Sequence, residues 1–93
     1  MTEEFSKRVE LAARALLAAG ARQVYLFGSA LTDDFRDNSD VDLAVEGLPP
    51  EVFFSAMAEA GDILQRPLDL IDLDEDNPFT RYLKEEGELV RVS

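Results

Sequence analysis

The chain has 93 residues, 46% of them apolar and 31% charged, with a formal net charge of −11 and no histidine or cysteine. That length holds one domain, residues 1–93, and that apolar content supports a core rather than disorder. The charge excludes a phosphate-neutralising nucleic-acid surface and an attraction to anionic membranes. The missing residues exclude His/Cys zinc sites, imidazole acid–base chemistry and thiol nucleophiles.

The N-terminus "MTEEFSKRVE" is charged and has no apolar signal-peptide region. No apolar run approaches the roughly 20 residues of a membrane span. With no disulfide chemistry available, a cytoplasmic setting is expected. Phe5, Val9, Ala12 and Leu16 repeat at helical spacing, with Thr2 as N-cap, Glu3 and Glu4 at the positive end of the dipole, and Gly20 as the stop. "QVYLF", residues 23–27, is a strand closed by Gly28. A short helix is expected from Ser29 to about Phe35. The aspartate-rich loop Asp33–Asp37 is expected to be solvated, since it lacks the glycine and glutamate of an EF-hand loop. "DVDLAVE", residues 40–46, alternates Val41, Leu43 and Val45 against Asp40, Asp42 and Ala44, which predicts a second strand.

"GLPP" breaks the chain, and Phe53, Met57, Ala60 and Leu64 predict a helix from about Pro50 to Leu64. Gly61 inside it lowers its stability or ends it early. "PLDLIDL", residues 67–73, is a third strand whose broken alternation suits burial on both faces. Asn77 caps a helix beginning at Pro78 and ended by Gly87, and "ELVRV", residues 88–92, is a last strand. The order predicts an α/β (α+β) domain: a small mixed β-sheet with packed helices.

Asp40 and Asp42 then lie about 7 Å apart along one strand face, and a neighbouring strand about 4.8 Å away can add a third carboxylate. Asp69 is the natural candidate and Asp72, on the other parity, the second. Clustered carboxylates are tolerable when protonated, exposed or bound to a cation, and an oxygen-only donor set selects Mg2+, Mn2+ or Ca2+. Gly28 lets the backbone approach a ligand, and Ser29 opens a segment whose N–H groups suit a phosphate. Taken singly, Gly-Ser is a turn, Asp-x-Asp an exposed sheet face, and Asp69 a surface residue. Together they describe a nucleotide–metal site.

Gly28-Ser29, then ten residues, then Asp40-Val41-Asp42 resembles the G-S-x10-D-x-D motif of the nucleotidyltransferase superfamily that includes DNA polymerase β. "SDVDLAV", "RPLDLIDL" and the ending "RYLKEEGELVRVS" on so short a chain are similar to the minimal nucleotidyltransferase antitoxins. The resemblance implies a polymerase β-like nucleotidyltransferase core. It implies that Asp40, Asp42 and Asp69 are catalytic and bind Mg2+, with Mn2+ as an alternative, and that Gly28 and Ser29 hold the triphosphate of ATP. The family often carries arginines and a glycine directly after Gly-Ser. Here Ala30, Leu31, Thr32 and Asp33 follow, and Arg36 is the basic residue left to assist nucleotide binding. The implied activity is transfer of AMP to a tyrosine hydroxyl of a HEPN-domain ribonuclease toxin, the expected partner. An acidic antitoxin suits the basic surface such a ribonuclease needs. Two other readings remain: a binding module that neutralises a basic partner by occlusion, and a nucleotidyltransferase subunit that modifies a small molecule or another protein.

Overall fold

The computed structural model describes residues 2–32, 35, 36 and 38–92. The elements follow the predicted order: α1 (Glu3–Ala18), β1 (Gln23–Phe27), β2 (Val41–Glu46), α2 (Phe53–Leu64), β3 (Leu68–Asp72), α3 (Pro78–Glu85) and β4 (Val90–Arg91).

Local chemistry sets the boundaries. The Thr2 hydroxyl accepts the Phe5 N–H at 3.1 Å and starts α1. At the other end Gly20 takes φ +124°, its N–H bonds Leu17 O at 3.0 Å, and the Ala21 N–H bonds Leu16 O at 3.1 Å. This paired closure needs a left-handed residue, which only glycine adopts without strain. Pro50–Val52 form a 3-10 turn that leads into α2, so the α-helix proper starts at Phe53 rather than at Pro50. Gly61 does not end α2, which continues to Leu64. Asn77 and Thr80 cap α3 reciprocally, at 2.9 and 3.1 Å.

The strands form one mixed sheet in the order β3-β2-β1-β4. β1 runs antiparallel to both β2 and β4, while β2 and β3 are parallel. A parallel pair needs a long crossover, and α2 supplies it. Val24 and Leu26 of β1, Val41, Leu43 and Val45 of β2, and Leu70 of β3 face α1 and α2. Each fully buried leucine or valine there contributes about 1.5–3 kcal/mol. Ala12 and Ala13 of α1 and Ala56 and Ala60 of α2 belong to the same core, and the two helices pack directly on one another.

The opposite sheet face is only partly covered. Leu83 of α3 packs there on Phe27, Ala44 and Leu73, with Tyr25, Ile71 and Leu89 around them. The face expected to carry Asp40, Asp42 and Ala44 is therefore divided, with Ala44 buried beneath α3 and Asp42 at its uncovered end. Part of β3 is covered on both faces, as its irregular pattern predicts: Leu70 is buried on one, and Ile71 is partly covered on the other.

Other boundaries differ from expectation as well. β2 begins at Val41, so Asp40 stands one residue outside it. The last strand is two residues long, not five. The helix expected from Ser29 to about Phe35 is a four-residue 3-10 segment, Gly28–Leu31, because Thr32 is already extended at φ −122°, ψ 168°. The solvated loop expected over Asp33–Asp37 rests on Asp33, Asp34 and Asp37, which lie outside the described residues.

Candidate active site

β2 carries Asp42 at the second position of the strand, where pleating turns it to the face opposite Val41 and Leu43. Its register partner on β3 is Asp69 and its partner on β1 is Phe27. Same-face residues in register on adjacent strands lie about 4.8 Å apart in the sheet. The structure thus puts Asp69, not Asp72, beside Asp42. Asp72 instead accepts the Asp74 N–H at 2.9 Å and shapes the turn after β3.

Asp42 is half-buried, whereas Asp40 and Asp69 are exposed. Burial pushes the Asp42 carboxyl above its ordinary range, and the neighbouring Asp69 and then Asp40 push it further. The Ser29 N–H donates a hydrogen bond to it and pulls in the other direction. The structure therefore links Ser29 to Asp42 directly.

Gly28 explains how the two segments come so close. It sits at φ +76°, directly after β1, with the Asp42 side chain over its Cα. An added Cβ would overlap Asp42 Oδ2 and meet Asp42 Cγ at 3.1 Å. Glycine is required here twice, for the backbone angle and for the room it leaves the carboxylate.

Arg36, the basic residue expected near the nucleotide, is exposed in the loop before β2. Its N–H donates to Ser39 Oγ at 2.8 Å, and its Nη1 donates to Phe35 O at 3.3 Å. Sequence reasoning missed Arg66. Its Nη1 donates to Arg36 O at 2.7 Å and to Ser39 O at 3.2 Å. The available signal was a cation immediately before Pro67, at the entrance to β3, in a chain with few cations.

Among the described residues no three Asp or Glu side chains form a ready-made cation cage. Asp69, its register partner, and Asp40, two residues before it, nevertheless both bring negative charge to Asp42. An oxygen-only, electronegative, partly exposed site fits a hard divalent cation. Mg2+ in particular takes one or two carboxylates and completes its shell with water and phosphate oxygens. The residues present fit such an ion, with Asp42 and its neighbours as the carboxylate side.

A family model described as "Polymerase beta, Nucleotidyltransferase" matches residues 18–91. The chain belongs to the polymerase beta nucleotidyltransferase family. That match spans β1, Gly28-Ser29, Asp40, Asp42 and Asp69. Three solved structures share the nucleotidyltransferase fold. One, a toxin–antitoxin with AMP-PNP, is 22% identical at TM-score 0.67, over 90% of this chain and 70% of that chain. The toxin–antitoxin MntA–HepT is 18% identical at TM-score 0.64, over 99% of this chain and 72% of that chain. A mutant of that pair, in which two aspartates are replaced by glutamate, is 19% identical at TM-score 0.64, over 90% and 70%. No curated protein matches the chain.

Proposed function

We propose that this nucleotidyltransferase-family chain is an antitoxin that transfers AMP from ATP to a tyrosine hydroxyl of a HEPN-type ribonuclease toxin. The observation that carries the proposal is the in-register pairing of Asp42 with Asp69, closed from above by Gly28 and Ser29. Asp40, Asp42 and Asp69 would hold Mg2+, or Mn2+ in its place, and Gly28, Ser29 and Arg36 would border the triphosphate. A bound divalent cation stabilises the attacking and leaving oxygens during in-line displacement.

The chain's own part is positioning. Asp42 is held by its strand, with Gly28 against its carboxylate. Asp69, exposed beside it, would take the proton of an incoming hydroxyl or help hold the metal. The hydroxyl oxygen bonds the α-phosphorus, the bond to the bridging oxygen breaks, and pyrophosphate leaves. The open sheet face suits a macromolecular acceptor that brings its own hydroxyl. A toxin–antitoxin with AMP-PNP among the structures of the same fold supports both nucleotide and partner, and the absence of cysteine agrees with a cytoplasmic setting.

One observation favours a second reading, neutralisation by occlusion. The segment after Gly28 is a single 3-10 turn, so fewer backbone donors are offered to phosphate than a full helix would supply. Calorimetric titration of Mg2+–ATP into the wild type and Asp42→Asn decides. Binding that the substitution abolishes, followed by an adenylyl-sized mass increase on a co-incubated toxin, supports transfer. Unchanged neutralisation by Asp42→Asn, with no mass increase from the wild type, supports occlusion.

A further inference from the structure

Asp40 stands outside β2 and is exposed, so nothing in the strand's ladder fixes it. Its two neighbours in sequence are both tied to the entrance of β3. The Ser39 carbonyl accepts from Arg66 Nη1 at 3.2 Å, and the Val41 N–H donates to Pro67 O at 2.9 Å. The same Arg66 nitrogen binds Arg36 O at 2.7 Å, and the Ser39 N–H closes the turn onto that carbonyl at 3.0 Å. Arg66 is itself held by aromatic packing. Its Cζ lies 4.9 Å from the Phe5 ring centroid and 4.5 Å from that of Phe35, and those rings are 4.8 Å apart. A planar guanidinium can lie on rings and donate in its own plane at the same time, which a lysine ammonium cannot do.

We propose that Arg66 is a positioning residue for Asp40: by gripping the carbonyls of Arg36 and Ser39 from the α1–α2 side, it holds Asp40 at the mouth of the sheet beside Asp42. Its consequence for nucleotide binding rests on the function proposed above; its effect on the backbone does not. Amide hydrogen exchange of the wild type, Arg66→Gln and Arg66→Lys reads that backbone effect. The Ser39 and Val41 amides are expected to exchange at least about tenfold faster in Arg66→Gln and by an intermediate factor in Arg66→Lys. The Val92 amide, bonded to Val24 O on the far side of the sheet, is expected to stay within about twofold. Unchanged exchange at Ser39 and Val41 overturns the proposal. Should Arg66→Gln melt the whole domain, seen as Val92 exchanging with the rest, Arg66→Lys is judged by the same criterion.

A double-mutant cycle then asks whether Arg66 works through Asp40. Mg2+ with a non-hydrolysable ATP analogue is titrated into the wild type, Arg66→Gln, Asp40→Asn and the double variant. Arg66→Gln is expected to weaken binding about tenfold alone and within about twofold when Asp40 is already Asn. Equal losses in both backgrounds overturn the link to Asp40. A wild type that binds no nucleotide sinks the proposed function instead, and the exchange result still decides whether Arg66 fixes this backbone.

Discussion

At the scale of single residues, Asp42 and Gly28 form one unit, and each makes a separate prediction. The folded Asp42 carboxyl titrates above its ordinary 3.8 because it is buried and faces Asp69 and Asp40. The folded state therefore keeps its proton longer than the unfolded chain. Below 3.8 both are neutral and Asp42 is harmless. As pH rises through the folded value, stability is lost. Asp42→Asn is thus expected to be more stable than the wild type at neutral pH in chelator, by up to about 1 kcal/mol, the scale of side-chain pairs on neighbouring strands. The two should converge in acid. Denaturant melts with EDTA across that range test this; a less stable variant at neutral pH would mean the carboxylates do not repel. Gly28→Ala has the opposite sign. A left-handed alanine costs roughly 1–2 kcal/mol, and its Cβ would also displace Asp42. Its Tm should fall and its affinity for Mg2+–ATP should be lost, as calorimetry on the still-folded fraction would show.

At the scale of elements, α2 offers a stabilising change. Gly61 lies inside this helix without a positive φ, and a Cβ there would meet Leu68 Cβ at 3.8 Å, ordinary contact. Gly61→Ala is expected to add about 0.5–1 kcal/mol, measured as a higher denaturation midpoint with nucleotide binding unchanged. The elements were legible in the sequence because their signals are local. Apolar spacing, Thr2, Gly20 and the Asn77 cap each act within a few residues. So was the choice of Asp69 over Asp72, which needs only strand parity. What was not legible depends on contacts distant in sequence. The burial of Ala44 depends on where α3 docks. The hold of Arg66 on Ser39 joins residues 27 positions apart, and no spacing rule reports it.

At the scale of the whole molecule, charge dominates. A net −11 on a chain of this size gives a long-range negative field that steers a basic partner and repels acidic ones. Among the described residues no helix is long and apolar enough to cross a membrane. Association with the proposed HEPN-type partner is expected to slow markedly between low and physiological salt, while dissociation changes less. Surface plasmon resonance at several ionic strengths checks this; an association rate insensitive to salt would remove the acidic surface from recognition.

The register of β2 on β3 ties all three scales together. The offset that sets Asp42 beside Asp69 also sets Leu43 beside Leu70 in the core. A slip of one residue would drive Asp69 into the interior and turn leucine out to water. Packing the interior and aligning the carboxylates are therefore a single event. A molecule either has the whole pair or has none of it. On the function proposed above, a nucleotide-competent fraction below one in a preparation would count molecules with the strands out of register, not weak binding in the rest.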